Sequence, residues 1–205
     1  MKPNQKKLTW IVLWGMTVLG MIALVGTGVL AHRQLGGDSQ TLDILWDAPS
    51  FSLTDQNGKK VTDADLRGNV WVATVFFSQC PGVCPMMSAR MAQLQKSVKL
   101  PDVKIVEFSI DPEHDTPAIL KEYASKLGAD ESRWMFLTGE KQGMFDLAVN
   151  GFKLQAAPAS EGQPIIHTQK VLLIDRMNRV RGYYDTNDDD AMKKLATDAQ
   201  QLARQ

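Results

Sequence analysis

The run Val70-Trp71-Val72-Ala73-Thr74-Val75-Phe76-Phe77 constrains the fold of this chain more than any other stretch. It is uncharged, rich in β-branched and aromatic residues, and preceded by a turn signal, Arg67-Gly68-Asn69. Such a run reads as a strand buried on both faces. The only two cysteines follow directly, in Ser78-Gln79-Cys80-Pro81-Gly82-Val83-Cys84-Pro85. From Pro85 the period changes, and Met87, Met91, Leu94 and Val98 recur at helical spacing. Both sulfurs therefore fall where a strand turns into a helix. A helix N-terminus carries roughly half a positive charge, which favours thiolate over thiol. Thiolates bind soft metals and exchange disulfides, so the chemistry of the chain is expected here.

The remaining elements follow from pattern and punctuation. Pro49 to Thr62 alternates around Asp55-Gln56-Asn57-Gly58, which predicts a hairpin with Phe51, Leu53 and Val61 on its buried face. Val103 to Ile110 is a second central strand. Thr116 caps, and Pro117 opens, a helix running to about Leu127. A shorter helix is predicted over Lys141 to Val149, and strands over Lys170–Asp175 and Val180–Tyr184. Asp188-Asp189-Asp190 opens a last helix with Met192, Leu195, Ala199 and Leu202 on one face. This order predicts an α/β fold, a thioredoxin-like mixed sheet flanked by helices on both faces, with the cysteines at a βα junction.

An N-terminal segment stands apart. Leu8 to Ala31 contains no charged residue, and as a helix it would extend about 36 Å, enough to cross a bilayer core with some tilt. Lys2, Lys6 and Lys7 precede it while only Arg33 follows closely, so the N-terminus is expected in the cytoplasm and everything after Ala31 outside. The predicted organisation is a cytoplasmic N-terminus over 1–7, a transmembrane anchor over 8–31, a linker over 32–45 and the globular domain over 46–205. A signal peptide cleaved after Val29-Leu30-Ala31 is the rival reading, although the apolar run exceeds the usual h-region. Either way the globular part meets a compartment where a cysteine pair can live as dithiol or disulfide. Basic and acidic residues balance at 23 each, and no basic stripe exists, which excludes a nucleic-acid partner.

A metal reading of Cys80 and Cys84 needs a further ligand, and the chain has three histidines. His32 abuts the predicted span, and His114 sits in a polar loop and reads as a surface residue. His167 lies in Pro164-Ile165-Ile166-His167-Thr168, in the loop expected just before the strand from Lys170. In a thioredoxin-like sheet that loop faces the cysteine loop, which makes His167 the third ligand candidate beside a plain core histidine. Two thiolates and an imidazole suit Cu(I) best, with Cu(II) possible, whereas structural zinc would want a fourth ligand. Met86 and Met87 read as packing or contact residues. A peroxidase is excluded on its own chemistry: it needs Thr or Ser three residues before the reactive cysteine, where Cys80 has Phe77 and Cys84 has Pro81.

From Ala48 to Ala203 the chain resembles the Sco/SenC family. The Phe76–Pro85 segment is similar to that family's copper loop, Ser109-Ile110-Asp111-Pro112-Glu113-His114-Asp115-Thr116-Pro117 to its second block, and His167-Thr168 with the strand after it to its histidine block. Two positions depart: His114 stands where Arg is usual, and Ile166 where Asp commonly precedes the histidine. The resemblance implies that Cys80, Cys84 and His167 bind copper. It implies a chaperone at the bacterial inner membrane, a single-pass protein with its domain in the periplasm. That chaperone would load the binuclear copper site of cytochrome c oxidase subunit II, with other copper chaperones or thiol reductants as further partners. The alternative is an enzyme, a thiol–disulfide oxidoreductase that uses Cys80 and Cys84 as a redox-active pair to reduce the subunit II cysteines before loading. No role for Asp111 separates capping its loop from tuning the cysteines.

Overall fold

The computed structural model describes Met16, Met21 and residues 42–80, 82–159 and 165–205; of Val83 and Cys84 it describes the backbone alone. The chain divides into two units, Met1–Thr41 and Leu42–Gln205. In the first, Met16 and Met21 are helical and exposed. The rest of the predicted anchor, and the predicted linker as far as Thr41, lie outside the described residues, among which no helix is long and apolar enough to cross a membrane. The linker's last residues, 42–45, belong to the second unit, where Leu45 N donates to Val180 O.

The second unit is built on an eight-stranded mixed sheet. In chain order its elements are β1 (Trp46–Asp47), β2 (Ser52–Asp55), β3 (Lys60–Thr62), α1 (Asp63–Leu66), β4 (Val70–Phe76), α2 (Val83–Ser97), β5 (Val103–Ser109) and α3 (Pro117–Leu127). They continue with β6 (Trp134–Thr138), α4 (Lys141–Asp146), a π-helical turn (Leu147–Gly151), β7 (Ala156–Ala157), β8 (Ile166–His167), β9 (Lys170–Ile174), β10 (Arg179–Asp185) and α5 (Asp189–Ala203). The strands run in the order β1-β10-β9-β4-β5-β6-β2-β3, with β7 and β8 forming a separate pair. β4, β5 and β6 are parallel, while β9 lies antiparallel against β4 and β2 against β6.

β4 stands at the middle of the sheet and is buried at every position, as its uncharged sequence requires. Because side chains alternate across a strand, Trp71 and Phe76 face opposite layers. Phe76 stacks on Tyr123 of α3 at 5.4 Å, and Ser88 of α2 shares a hydrogen bond with that tyrosine. Trp71 packs edge-on against Phe51 and against Phe152, which follows the π-helical turn. Helical segments thus cover both faces, and the mixed sheet predicted from sequence is present.

The hairpin forms as expected, but through a different turn. Asp55 Oδ1 accepts from the backbone N–H groups of Asn57 and Lys59, and only Gly58 of the Asn-Gly pair adopts positive φ, at 77°. Gln56 is buried rather than a turn ornament: its side chain accepts from Phe136 N at 2.9 Å and donates to Trp134 O at 3.3 Å, extending the pairing of β6 beyond β2. The sequence reading did not include β6 itself. Two further corrections concern short elements: β1 pairs with β10, and His167 belongs to β8, opposite Ala156, rather than to a loop.

Candidate metal centre

The cysteine loop begins where the β4 ladder ends. Ile110 N donates to Phe76 O, the last backbone link between β4 and the β5 end. The chain then turns sharply, and Cys80 N donates back to Phe77 O at 3.2 Å. Cys80 is half-buried and packs on the edge of the core. α2 opens at Val83 behind Gly82, which has no side chain to cap it, and Cys84 falls in the first turn. The helix dipole there stabilises negative charge, the condition for thiolate chemistry. Pro85 and Met86 are exposed in that turn, whereas Met87 points inward and is buried.

His167 reaches the same end of the sheet from β8. Its ring meets Phe77 edge-to-face, with centroids 5.7 Å apart and planes at 83°. Phe77 therefore touches the imidazole with its ring and holds Cys80 with its carbonyl. His167 Nδ1 lies 2.9 Å from Thr168 O, so Nδ1 carries the proton and the lone pair sits on Nε2. Burial pushes the imidazole below its ordinary value, only partly offset by the Thr168 carbonyl, and so favours the neutral ring that metal binding requires. Ile166, beside it, is 56% exposed and leaves the ring without a carboxylate at that position. The donor types and the tautomer fit a soft or borderline cation. Among the described residues no cluster of three or more metal-ligating side chains is gathered; the Cys84 side chain is not one of those described.

The second block supports the loop from below. Asp115 is fully buried and accepts from Ser78 N, from Ser78 Oγ and from Ser109 Oγ. The sequence alone assigns Asp115 no role of its own. The Asp111 backbone anchors the turn: its carbonyl accepts from His114 N and Asp115 N, and its own N–H reaches Ser109 Oγ. Burial, with the Asp115 charge beside it, raises the Asp111 carboxyl above the usual carboxylate range. His114 is half-buried rather than a plain surface residue. It lines a cavity of about 210 Å3 together with Ser78, Gln79 and Tyr123. His32 lies outside the described residues.

Taken together, the second unit is a thioredoxin-like domain with its cysteine pair at the β4–α2 junction. The SCO1/SenC family model matches residues 46–203, and the chain belongs to that family. Three solved structures are similar to it. A SCO1/SenC family lipoprotein from Bacillus anthracis str. Ames is 36% identical with a TM-score of 0.72, covering 77% of this chain and 95% of that one. BsSco, described as a member of the Sco family of cytochrome c oxidase assembly proteins and as having a disulfide switch, is 31% identical with a TM-score of 0.71, covering 81% and 99%. ScoI from Bradyrhizobium japonicum, solved with copper bound, is 27% identical with a TM-score of 0.63, covering 76% and 99%.

Proposed function

We propose that this chain is a membrane-anchored copper carrier that binds copper through Cys80, Cys84 and His167 and delivers it to the binuclear copper site of cytochrome c oxidase subunit II. The observation that carries the reading is the shared neighbour Phe77, which contacts the His167 ring and holds the Cys80 backbone. Copper-bound ScoI and the oxidase-assembly role of BsSco support the choice of cargo and destination. The cysteines supply soft thiolates and His167 a neutral Nε2, a donor set suited to Cu(I) and acceptable to Cu(II). A site with few ligands at a loop edge lets the thiols of a target displace them one at a time. In this reading residues 1–7 are cytoplasmic, 8–31 span the bacterial inner membrane once, 32–45 form a tether, and 46–205 work in the periplasm.

The test is Cu(I) competition against a chromophoric chelator, using the purified reduced chain beside His167→Ala. The wild type should hold about one copper, and the variant should bind at least tenfold more weakly, the loss expected when a ligand is removed. Equal affinity in the two proteins removes His167 from the site.

The first-turn position of Cys84 and the disulfide switch of BsSco favour one alternative reading, a thiol–disulfide reductase acting on the subunit II cysteines. Here the Cys80 and Cys84 thiolates give two electrons to the target disulfide; its S–S bond breaks while a Cys80–Cys84 bond forms, and the protons follow the released thiols. The reduced chain, free of copper, should then convert an oxidised subunit II fragment to its dithiol. No conversion over hours refutes this alternative.

A further inference from the structure

Asp115 is a buried carboxylate with no part in the copper set, and its hydrogen bonds are spent on the cysteine loop. Both of its oxygens face Ser78 N, at 3.3 and 3.1 Å, and one also accepts from Ser78 Oγ. The other accepts from Ser109 Oγ at 2.6 Å. Ser109 is the last residue of β5 and lies opposite Phe76 in the ladder. The backbone ladder between the two strands closes with Ile110 N on Phe76 O, and Cys80 N then closes a turn on Phe77 O. Ser78 sits between these two links, and Asp115, whose own N–H donates to Asp111 O, ties it to the turn after β5. A simple capping role does not account for this, because Thr116 caps α3 with its own hydroxyl. A buried carboxylate accepting from three donors is a stiff clamp, since moving any donor away leaves ionic oxygens unsatisfied.

We propose that Asp115 is a positioning residue that fixes the root of the cysteine loop and thereby sets how Cys80 stands against the first turn of α2. The clamp acts through Ser78 and touches neither the metal donors nor the cargo. The inference rests on Cys80 and Cys84 acting as working thiols, whichever of the two functions above they serve.

The experiment compares the full chain with Asp115→Asn, Ser78→Ala and Ser109→Ala. It measures the Cys80–Cys84 thiol–disulfide equilibrium in a dithiothreitol redox buffer, Cu(I) affinity by chelator competition, and thermal stability. Ser109→Ala removes a hydrogen bond from the same carboxylate and the acceptor of Asp111 N yet leaves the Ser78 link, so it reports the structural cost of loosening this turn. Asp115→Asn should shift the thiol–disulfide equilibrium about tenfold, or ~30 mV for a two-electron couple. It should also weaken Cu(I) binding about tenfold, the lower end for residues that orient ligands. Ser78→Ala keeps the backbone N–H bond, folds more readily than the aspartate variant, and should shift the equilibrium roughly threefold in the same direction. Ser109→Ala should leave both readings within about twofold while losing comparable stability. If Asp115→Asn and Ser78→Ala match the wild-type equilibrium, or if Ser109→Ala shifts it equally, the clamp is purely structural and the inference fails. A wild type that binds no copper while the equilibrium shifts as stated removes the copper reading and upholds the clamp.

Discussion

Replacing Glu107 by Gln should abolish most of the pH dependence of stability between mildly acidic and mildly alkaline solution. Glu107 lies mid-strand in β5, 1% exposed, with Oε1 accepting from Trp134 Nε1 at 3.1 Å. Oε2 is buried with no hydrogen-bond partner among the described residues. Burial raises the carboxyl from 4.5 to about 8, and the Trp134 bond offsets this only partly. Between these values the folded chain keeps a proton that the unfolded chain has released. Stability is therefore complete below pH 4.5, falls as pH rises, and has lost this contribution above about pH 8. The slope is about 1.4 kcal/mol per pH unit, and across the window the loss sums to about 5 kcal/mol, as large as the whole stability of many domains.

A glutamine in this place keeps an acceptor for the indole and cannot ionise. Its amide N–H groups find no partner, a cost of about 1–3 kcal/mol at all pH values. Urea unfolding at pH 5 to 9, followed by tryptophan fluorescence, reads both effects. The wild-type curve should fall steeply from pH 5 to about pH 8 and level off above it while Glu107→Gln stays nearly flat, and the two should cross. Parallel curves would refute the argument, because they would mean that Glu107 titrates alike in folded and unfolded chains.

Two further substitutions test the packing that positions the site. Gln56→Leu removes the acceptor of Phe136 N and the donor to Trp134 O, and should cost about 2 kcal/mol, with faster hydrogen exchange at the Phe136 amide as its local signature. Gly182→Ala would drive a Cβ into the Tyr184 ring and its hydroxyl oxygen, so the ring must move. That movement breaks the 2.6 Å hydrogen bond from Tyr184 to Asp198 of α5 and should destabilise the domain by about 1–3 kcal/mol; an unchanged Tm would contradict it.

Elements with a long, one-sided signal were legible before the structure. β4 declares itself through an unbroken apolar run, α2 and α5 through periodic apolar residues, and α3 through Thr116 and Pro117. The fold class and the family followed from these and from the cysteine and histidine blocks. β6 was missed because Trp134 to Thr138 is short and buried on both faces, so it shows neither alternation nor helical period. β7 and β8 are two residues each, too short for any periodicity, and only the register of Ala156 with His167 and Ala157 with Ile166 defines them. Glu107 was invisible for a related reason: the run from Val103 to Ile110 reads as a central strand, and nothing local marks which distant group an acid inside it will meet. Gln56 reads locally as part of a turn and Asp115 as a neighbour of the Thr116 cap, while their bonds reach Trp134, Phe136 and Ser78. Local chemistry predicts where a polar side chain sits, not which distant backbone it will satisfy.

The pairing of β7 with β8 places His167 on a ribbon of its own, outside the eight-stranded sheet that carries the cysteine loop. The imidazole side and the thiol side of the cleft are therefore parts of different hydrogen-bonded bodies. The ribbon is fastened at one end, where Thr168 N donates to Gln155 O and β9 begins at Lys170. A substitution at Ala156 or Ala157, the residues paired with His167 and Ile166, would therefore reach the imidazole without touching the β4–β5 ladder.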